Sequence, residues 1–571
     1  MFTKNGFFPG TVNSKHVLLF NYIHYDGIGD FNHLIDFSRE FTPLAEKLRV
    51  KLILFVVSTG NRKELVEQRL KTSLPTVKAH VLELGENSGD NAIEQFSHFI
   101  HNNKELREEL STTCCIFQIS TSMAKAQKDI ILKLSPCEIP VVIIPEISGL
   151  RTSALNLPIS YIDPRDQLTP RDLQAKNINT RCLGLQKVPY QYGLKIKRTY
   201  LENVMALENR DFFKHLTGIN DSGSTCSEEM LNWANKTQLV PAYLQDWDSI
   251  TRFMSFCFQR FQGAEQERLV IYLNNPKYRG ETPLFSNTPY CLLSAGKIMY
   301  LKEHQLDHLI LNKQDKQFLP FMDYNLIFGP MLAVNANISA IEININGTVR
   351  RINCYPETSC NPPKTVSILT DFNLNDADYD ILIANATDIV GVSGDNTIEK
   401  ALTHDKLPFL QPNNKENFES VMNQLAQLAK CALPTEADNL VKDFEAFFCQ
   451  KLMRLDKPQC STRLLEINIQ ALFKVWHIVV DHLRENYNIF NHIAAIFCEP
   501  LVHYCAKAGD INLLHSINEH FGNIDFHTPN KQGETAGMIA EKNSNYNFLD
   551  EWHLLMHNRE QSVAVKTSIR I

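Results

Sequence analysis

The segment Ile389–Leu402, with the sequence IVGVSGDNTIEKAL, holds the residue types best suited to chemistry. Its apolar start is typical of a buried strand, and Gly394 permits a tight turn and a close backbone approach. We predict that a helix begins near Ile398 and is capped by Asp395 or Asn396. Free N–H groups at a helix start bind phosphate, so this turn is a candidate anion site. Its candidate binding residues are Ser393, Gly394, Asp395, Asn396, Thr397 and Glu399.

The polar side chains of this turn, from Asp395 to Glu399, suit sugar hydroxyls next to the bound phosphate. The alternative is an ordinary helix cap with Glu399 as a solvated carboxylate in the first helical turn. The residues that follow favour the anion site. A loop at His404–Lys406 leads to a second apolar run, Leu407–Leu410, which predicts another buried strand.

A second glycine turn lies near the start of the chain. An apolar run from Lys15 to Ile23 predicts a strand, and Phe31 to Leu48 has helical spacing of its apolar residues. Between them lies the turn YDGIGD, which contains Gly27, Gly29 and Asp30, with His33 one helical turn later. A carboxylate or an imidazole at this place accepts a proton from a nucleophile near neutral pH. The alternative is that Asp30 caps the helix and His33 packs against its flank.

Neither turn has the spacing of a dehydrogenase or P-loop signature. Gly27-x-Gly29 lacks the third glycine, and no Gly-Lys-Ser/Thr follows a phosphate loop. The two turns lie several hundred residues apart. This separation instead favours two facing α/β domains, each with one of the turns near its start.

This arrangement resembles the GT-B glycosyltransferases, in which a Gly-(Asp/Glu)-(Asn/Asp/Gln)-(Ser/Thr) turn precedes a helix carrying Glu-Ala. Here Lys400 separates Glu399 from Ala401 and shifts that pair by one residue. The first turn is similar to the loop that carries a catalytic aspartate in protein-arginine rhamnosyltransferases, and Asp30 is the matching position. The resemblance implies two facing Rossmann-like domains with a nucleotide sugar as co-substrate. It also implies Asp30 and His33 as catalytic residues, no metal or other cofactor, and donor binding by the Gly394 turn together with Gly27 and Gly29.

Composition excludes several classes of function. The chain has 571 residues, 44% hydrophobic and 21% charged, with a net charge of −7 and a pI near 6.3. It is therefore globular, too long for a single core, and without a general attraction to nucleic acid or anionic membranes. No apolar run is long enough to span a membrane. The 14 cysteines include no zinc-type spacing, which predicts buried thiols in a reducing, cytoplasmic compartment.

The order of predicted elements divides the chain into five segments. Strands alternate with helices at both 1–215 and 266–425, so we predict two Rossmann-like domains, the first on the acceptor side and the second on the donor side. Between them, 216–265 is predicted to be a helical connection, and 426–494 a further helical segment. The predicted strands of the first domain are 15–23, 52–57, 79–84, 115–119 and 141–144, and those of the second are 269–273, 308–311, 324–328, 341–345, 366–369, 381–383 and 388–392.

The last segment, 495–571, resembles ankyrin repeats. Pro500-Leu501-x-His503-x-x-Ala506-x-x-Gly509 fits the opening helix of a repeat, and Gly533-x-Thr535 fits the next turn. The interval from Pro500 to Ala536 is close to the roughly 33-residue period of this family. Two repeats are too few to be stable alone, so we expect them to stack on the preceding helices and to bind a protein partner.

These patterns together predict a glycosyltransferase that moves a sugar from a nucleotide-sugar donor to a protein or other acceptor. Two alternatives stay open: a non-catalytic ankyrin interaction protein on a degenerate GT-B scaffold, and a nucleotide-sugar epimerase of the same fold. The combination of domains resembles effectors of intracellular bacteria such as Legionella. From that resemblance we expect that the acceptor is a host protein and that the chain is delivered into the host cytosol.

Overall fold

The structure, a computed structural model, describes most of residues 15–144, 178–274, 338–411 and 468–568, with gaps inside these ranges, and a few positions between 425 and 447. Gly27 and the predicted strands at 308–311 and 324–328 lie outside the described residues. The chain forms two compact units. Unit 1 comprises Met1–Lys195 and Asn486–Ile571, and unit 2 comprises Ile196–Glu485.

Unit 1 is built on a six-stranded parallel sheet in the order β3-β2-β1-β4-β5-β6. The five strands predicted for this region are confirmed. Every residue of the central strand β1 is buried, as expected when helices cover both faces of a parallel sheet. The strands are β1 His16–Ile23, β2 Lys51–Thr59, β3 Lys78–Leu84, β4 Thr113–Ile119, β5 Val141–Ile144 and β6 Ile178–Thr180, with a separate short pair, β7 Cys182–Leu183 and β8 Gln191–Gly193.

The helix after β1 forms because its apolar residues recur at helical spacing. Leu34, Phe37 and Phe41 are fully buried against the sheet. The strand order reverses beside β1, since β2 lies on one side of it and β4 on the other. Ligands of open α/β sheets bind at the carboxyl ends of the strands at such a switch point. The helices of this region are α1 Gly29–Lys47, α2 Lys63–Ser73, α3 Ala92–Asn102, α4 Lys104–Ser111 and α5 Lys125–Leu134.

Unit 2 contains a seven-stranded sheet in the order β12-β11-β13-β10-β9-β14-β15. All neighbours are parallel except β11 and β12, which form a hairpin whose turn holds Asn346 and Gly347 at φ of 45° and 88°. The strands are β9 Thr237–Tyr243, β10 Arg268–Leu273, β11 Ala340–Ile345, β12 Thr348–Asn353, β13 Thr365–Thr370, β14 Ile389–Val392 and β15 Leu407–Leu410. The helices are α6 Arg210–Thr217, α7 Cys226–Lys236, α8 Trp247–Gln262, α9 Asp376–Ala384, α10 Asp395–Thr403 and α11 Ile469–Asn486.

Two element predictions in this region are wrong. The segment 216–265, predicted to be a helical connection, contains β9, which lies in the middle of the second sheet between β10 and β14. The predicted strand 381–383 instead lies inside α9, where its three apolar residues are all buried. A short apolar run fits a buried strand and a buried helix equally well, so periodicity alone does not separate them.

The predicted boundaries also change. Unit 1 ends at Lys195 rather than at 215, because Phe212 of α6 packs against Tyr272 and Phe372 of unit 2, with ring centroids 5.1 and 5.0 Å apart. Helix α11, in the segment 426–494 that was predicted to be separate, falls largely within unit 2. The predicted class, two α/β units with parallel sheets and a C-terminal helical region, is confirmed.

The C-terminal helices are part of unit 1 and not an independent module. They are α12 Ile493–Ala508, α13 Ile511–His520, α14 Ala536–Lys542 and α15 Tyr546–Ser568. Phe497 of α12 is fully buried between Phe41 of α1 and Phe117 of β4, with ring centroids 4.9 and 5.7 Å away. An ion pair between Lys15 and Asp510 joins the same two parts of the chain. The helices therefore complete the core that begins with β1 and α1.

The local bonds of these helices fit the predicted repeat pattern in part. Nε2 of His503 lies 3.0 Å from the carbonyl oxygen of Thr528, so this histidine bonds to the turn that follows α13. Thr535 caps α14 by accepting from the N–H of Met538. Membership of the ankyrin family stays a prediction. Within the described part of the chain, no helix is both long and apolar enough to cross a membrane.

Candidate functional site at the β14–α10 turn

The structure places the predicted anion site between β14 and α10. The strand is confirmed, but the helix begins at Asp395 and not near Ile398. Gly394 occupies the N-cap position with φ −125° and ψ 154°, and it has no side chain with which to cap the helix. The prediction that Asp395 or Asn396 caps α10 is therefore wrong, because both residues already belong to its first turn.

A glycine at the N-cap has no side chain to accept hydrogen bonds from the first N–H groups of α10. The first intrahelical hydrogen bond runs from the N–H of Ile398 to the carbonyl of Gly394. The preceding N–H groups, from Asp395 to Thr397, have no acceptor within the helix. These groups and the positive end of the helix dipole form a site for an anion such as a phosphate.

The predicted binding side chains differ in exposure. Ser393, Thr397 and Glu399 are 3%, 6% and 2% exposed, so they lie beneath the turn rather than on its surface. The hydroxyl of Ser393 has no hydrogen-bond partner among the described residues. Asn396 is partly exposed, whereas the side chain of Asp395 lies outside the described ones. The backbone of the turn and a buried, unpartnered hydroxyl are thus the strongest features of the site.

The turn lies at the point where the strand order of the second sheet reverses. Strand β9 has β10 on one side and β14 on the other, so the carboxyl ends of β9 and β14 meet there. Tyr243 ends β9, and its Cε1 atom would lie 3.4 Å from a Cβ atom at Gly394. Tyr243 is partly exposed and is a site residue that the sequence patterns missed, since they predicted helix at its position.

Gly391 is required for the close approach of β14 to β9, and its replacement gives a stability prediction. A Cβ atom at this position would lie 2.6 Å from the Cβ of Ala242 and 3.2 Å from its Cα. We expect Gly391→Ala to lower the free energy of unfolding of unit 2 by about 1–3 kcal/mol, as overpacked cores do. Urea unfolding followed by hydrogen exchange in β9 and β14 measures the change.

The matched control is Gly263→Ala in the same unit, where an added Cβ would meet only the carbonyl oxygen of Arg260 at 3.9 Å. Its effect should stay within about 0.5 kcal/mol. Equal effects of the two substitutions would contradict the close approach at Gly391.

Beneath the turn, a buried lysine joins α10 to α9. Nζ of Lys400, whose side chain is 4% exposed, lies 3.0 Å from Oδ1 of Asp376 and 3.4 Å from Oδ1 of Asp380. It also donates to the backbone carbonyl of Asp376 at 3.1 Å. Nε2 of His404, at the end of α10, lies 3.2 Å from the same oxygen of Asp380.

The charges of this network shift the pKa of Asp380. Burial acts to raise this pKa, but Lys400 and then His404 act in the opposite direction and hold it well below its ordinary range. Because the folded-state pKa is depressed, the carboxylate stabilises unit 2 fully above pH about 4 and loses this effect as the pH falls. Burial chiefly raises the pKa of the neighbouring Tyr379 well above its ordinary value, which keeps this phenol neutral.

The second predicted turn lies in unit 1, at the start of α1. Gly29 and Asp30 are the first two residues of this helix, directly after the switch point beside β1. The ring of His33 is 1% exposed and meets Phe37 edge-on at a centroid distance of 5.0 Å. This burial matches the packing role considered for His33, so its catalytic role stays a prediction. The structure assigns the two predicted turns to different units.

Three buried polar residues lie near the carboxyl ends of the central strands of unit 1. Asn21, Ser58 and Gln118 are fully buried, and the amide of Asn21 donates to the carbonyl of Ile119. In the described part of the chain, neither the hydroxyl of Ser58 nor either amide atom of Gln118 has a hydrogen-bond partner. Such groups cost about 1–3 kcal/mol each when buried, and they are few in native proteins. The sequence patterns missed them because each lies within an apolar strand.

The side chains that could bind a metal ion were compared across both units. No group of three or more His, Cys, Asp or Glu side chains suited to a metal ion occurs among the described residues. The Asp376-Ala-Asp378 spacing, which resembles a metal motif, begins α9. Both carboxylate oxygens of Asp378 accept from the backbone N–H groups of Glu208 and Asn209, at 2.6 and 3.1 Å. The side chain of Asp378 therefore binds the start of α9 to the backbone at 208–209.

Comparison with known proteins gives only weak likenesses. No family model and no curated protein sequence matches the chain. Among solved structures, the Candida albicans trehalose-6-phosphate phosphatase N-terminal domain is 10% identical with a TM-score of 0.37, over 86% of this chain and 97% of that one. Anabaena Alr3699/HepE in complex with UDP and glucose is 10% identical with a TM-score of 0.35, over 84% and 98% of the two chains. The UDP-GlcNAc 2-epimerase from Neisseria meningitidis is 12% identical with a TM-score of 0.34, over 82% and 100%. TM-scores this low do not support a functional inference.

Proposed function

We propose that this chain is a GT-B glycosyltransferase that binds a nucleotide sugar on unit 2, with the diphosphate at the start of α10. The observation that carries the proposal is the N-terminus of α10, where the N-cap residue is a glycine that makes no side-chain cap, at the β9–β14 switch point. The buried hydroxyl of Ser393, which has no hydrogen-bond partner in the part of the chain that the structure describes, adds a polar group at the same place. The net charge of −7 gives the chain no general attraction to nucleic acid, which favours a small phosphate-bearing ligand.

The proposed role of this site is to stabilise charge that develops on the leaving diphosphate. Sugar transfer breaks the bond between the anomeric carbon and the diphosphate oxygen and forms a bond from that carbon to the acceptor. The N–H groups of Asp395 to Thr397 are held in place by α10, so they meet the developing charge without reorganisation. The partly exposed Asn396 is proposed to bind a hydroxyl of the donor.

Asp30 is proposed to accept the proton of the acceptor nucleophile. It lies in the first turn of α1, at the switch point of unit 1. We expect Asp30→Asn to leave donor affinity unchanged and to slow sugar transfer by at least about 100-fold, the lower range for loss of a positioned acid or base. Calorimetric titration measures the affinity, and single-turnover kinetics with a labelled nucleotide sugar measure transfer.

The outcomes of this experiment separate the proposed roles. Near-normal transfer by Asp30→Asn would leave this residue with a structural role only, in the first turn of α1. Conversion of the donor to an isomer in the absence of any acceptor would instead indicate an epimerase. Asp36→Asn is not a suitable control, since Asp36 is paired with the buried Lys195 at 3.0 Å. The matched control is Glu46→Gln, which changes an exposed carboxylate on the same helix as Asp30.

The acceptor is proposed to be a protein that docks on the C-terminal helices, in line with the sequence resemblance. Met538, Tyr546 and Leu554 of α14 and α15 are 56%, 63% and 54% exposed, which gives this region large apolar side chains in contact with solvent. A host protein as acceptor, and delivery by a bacterium, are parts of the same proposal. Transfer of labelled sugar to proteins of a host lysate tests it, with Tyr546→Ala and Leu554→Ala combined as the variant.

A further inference from the structure

Lys400 is a buried charge that the proposed chemistry does not use. Its Nζ faces three acceptors on α9, namely the carboxylates of Asp376 and Asp380 and the backbone carbonyl of Asp376, at 3.0 to 3.4 Å. An ammonium group has three N–H donors, so these three acceptors fix its direction as well as its charge. With 4% of its side chain exposed, Lys400 is directed at α9 and away from solvent.

A contribution to stability does not by itself explain why a lysine is buried at this position. A buried ion pair loses its hydration, and well-packed apolar residues in its place are often as stable or more so. What an ion pair adds is a defined geometry, since apolar side chains slide past one another more easily than a lysine leaves its acceptors. The network therefore suits the task of fixing one helix relative to another.

Helix α9 is itself held firmly, so it is a suitable base for α10. Its N-cap residue, Asn375, accepts from the N–H of Asp378 at 2.7 Å and donates its amide to Glu208 at 2.7 Å. Asp378 in turn binds the backbone N–H groups of Glu208 and Asn209. A continuous set of hydrogen bonds thus runs from the 208–209 backbone through α9 and Lys400 to α10.

The first turn of α10 depends on this attachment. The helix has nine residues, and Lys400 is its sixth, so the N–H groups of Asp395 to Thr397 lie within about 8 Å of rise along the axis. A short helix moves as one body, and a small rotation at Lys400 changes the direction in which those N–H groups point.

We propose that Lys400 is a positioning residue, which holds α10 on α9 and so aims the N–H groups of its first turn at the diphosphate. This inference rests on the proposed function for the identity of the ligand. The attachment of α10 to α9 is also measurable without any ligand, because a loosened α10 opens more often and its hydrogen-bonded amides then exchange faster.

The test compares Lys400→Met with Lys364→Met in the full chain. Lys364 is the matched control because it also donates two hydrogen bonds, to the carbonyls of Phe261 and Ala264 at 2.7 Å each, but it is not part of α10. For Lys400→Met we expect about 10-fold faster exchange at the hydrogen-bonded amides of α10 from Ile398 onward, and about 10-fold weaker binding of the nucleotide sugar that wild type binds. Lys364→Met should leave the amide exchange of α10 and the affinity for the nucleotide sugar unchanged, even if this substitution lowers the midpoint of thermal unfolding.

Two results overturn the inference. One is unchanged exchange at the hydrogen-bonded amides of α10, from Ile398 onward, in Lys400→Met. The other is an equal change in both variants, which would reduce Lys400 to a general contributor to stability. If wild type binds none of the UDP-, GDP- or dTDP-sugars, the proposed function fails, and the exchange measurement alone still decides whether Lys400 positions α10.

Discussion

Phe497→Ala is expected to lower the free energy of unfolding of unit 1 by about 3–5 kcal/mol, the usual range for a buried phenylalanine. The side chain is fully buried, and its ring packs against Phe41 of α1 and Phe117 of β4. The cavity left by the substitution would therefore open within the core shared by the C-terminal helices and the first sheet. An effect of this size would show that residues 486–571 are part of the unit that carries Asp30.

Hydrogen exchange of β1 and β4 in increasing urea measures this change, because those strands report on unit 1 separately from unit 2. Leu554→Ala, in the same C-terminal helices, is the matched control, since that side chain is 54% exposed. Its effect should stay within about 0.5 kcal/mol. If Phe497→Ala opens the C-terminal helices but leaves exchange in β1 and β4 unchanged, the helices form an independent module after all.

Gly394→Asp is expected to stabilise α10 and to abolish donor binding, two effects of opposite sign. The backbone at Gly394 has a φ of −125°, which any residue adopts, and an added Cβ would meet Tyr243 at an ordinary contact distance of 3.4 Å. An aspartate at the N-cap accepts from the first-turn N–H groups and adds a negative charge at the positive end of the helix, worth about 0.3–1 kcal/mol of stability. The same carboxylate occupies and repels the site of the diphosphate.

Loss of two charge-assisted hydrogen bonds predicts at least about 100-fold weaker binding of the nucleotide sugar. Thermal unfolding and calorimetric titration on the same preparation measure the two effects. Gly394→Asn is the control, because it caps the helix without adding charge, and its affinity should lie between those of wild type and Gly394→Asp. An affinity of Gly394→Asp within about twofold of wild type would exclude the start of α10 as the diphosphate site.

The parts of the fold that the sequence predicted are those with a strong local pattern. Short apolar runs predicted the strands of unit 1, and the spacing of Leu34, Phe37 and Phe41 predicted α1. Strand β9 was not predicted because Pro241 lies inside it, and a proline argues against a central strand. The proline is tolerated here because β14 pairs only with the two residues after it, Ala242 and Tyr243. The apolar run inside α9 predicts a strand because its three consecutive buried residues, 381–383, are too few to show a helical period.

The candidate site was predicted in place but not in detail. The glycine turn after β14 was recognisable from its residue types alone. The exact start of α10 was not, since Asp395 and Asn396 favour both a cap and a first helical turn. Contacts between distant parts of the chain, such as Tyr243 beside Gly394 and Lys400 between two aspartates, depend on strand order and helix packing. The attachment of the C-terminal helices to unit 1 also depends on packing, because no local sequence pattern indicates which surface these helices cover.

The most direct test of the proposed donor site is amide exchange of the wild-type protein with and without saturating UDP-, GDP- or dTDP-glucose. We expect at least one of these donors to slow exchange at Asp395 to Thr397 by about 10-fold or more, because the bound diphosphate accepts hydrogen bonds from those N–H groups. Exchange in α1 beyond its first turn should change little. Unchanged exchange at the start of α10 with all three donors, or protection confined to other parts of the chain, would contradict the claim that this turn binds a nucleotide sugar.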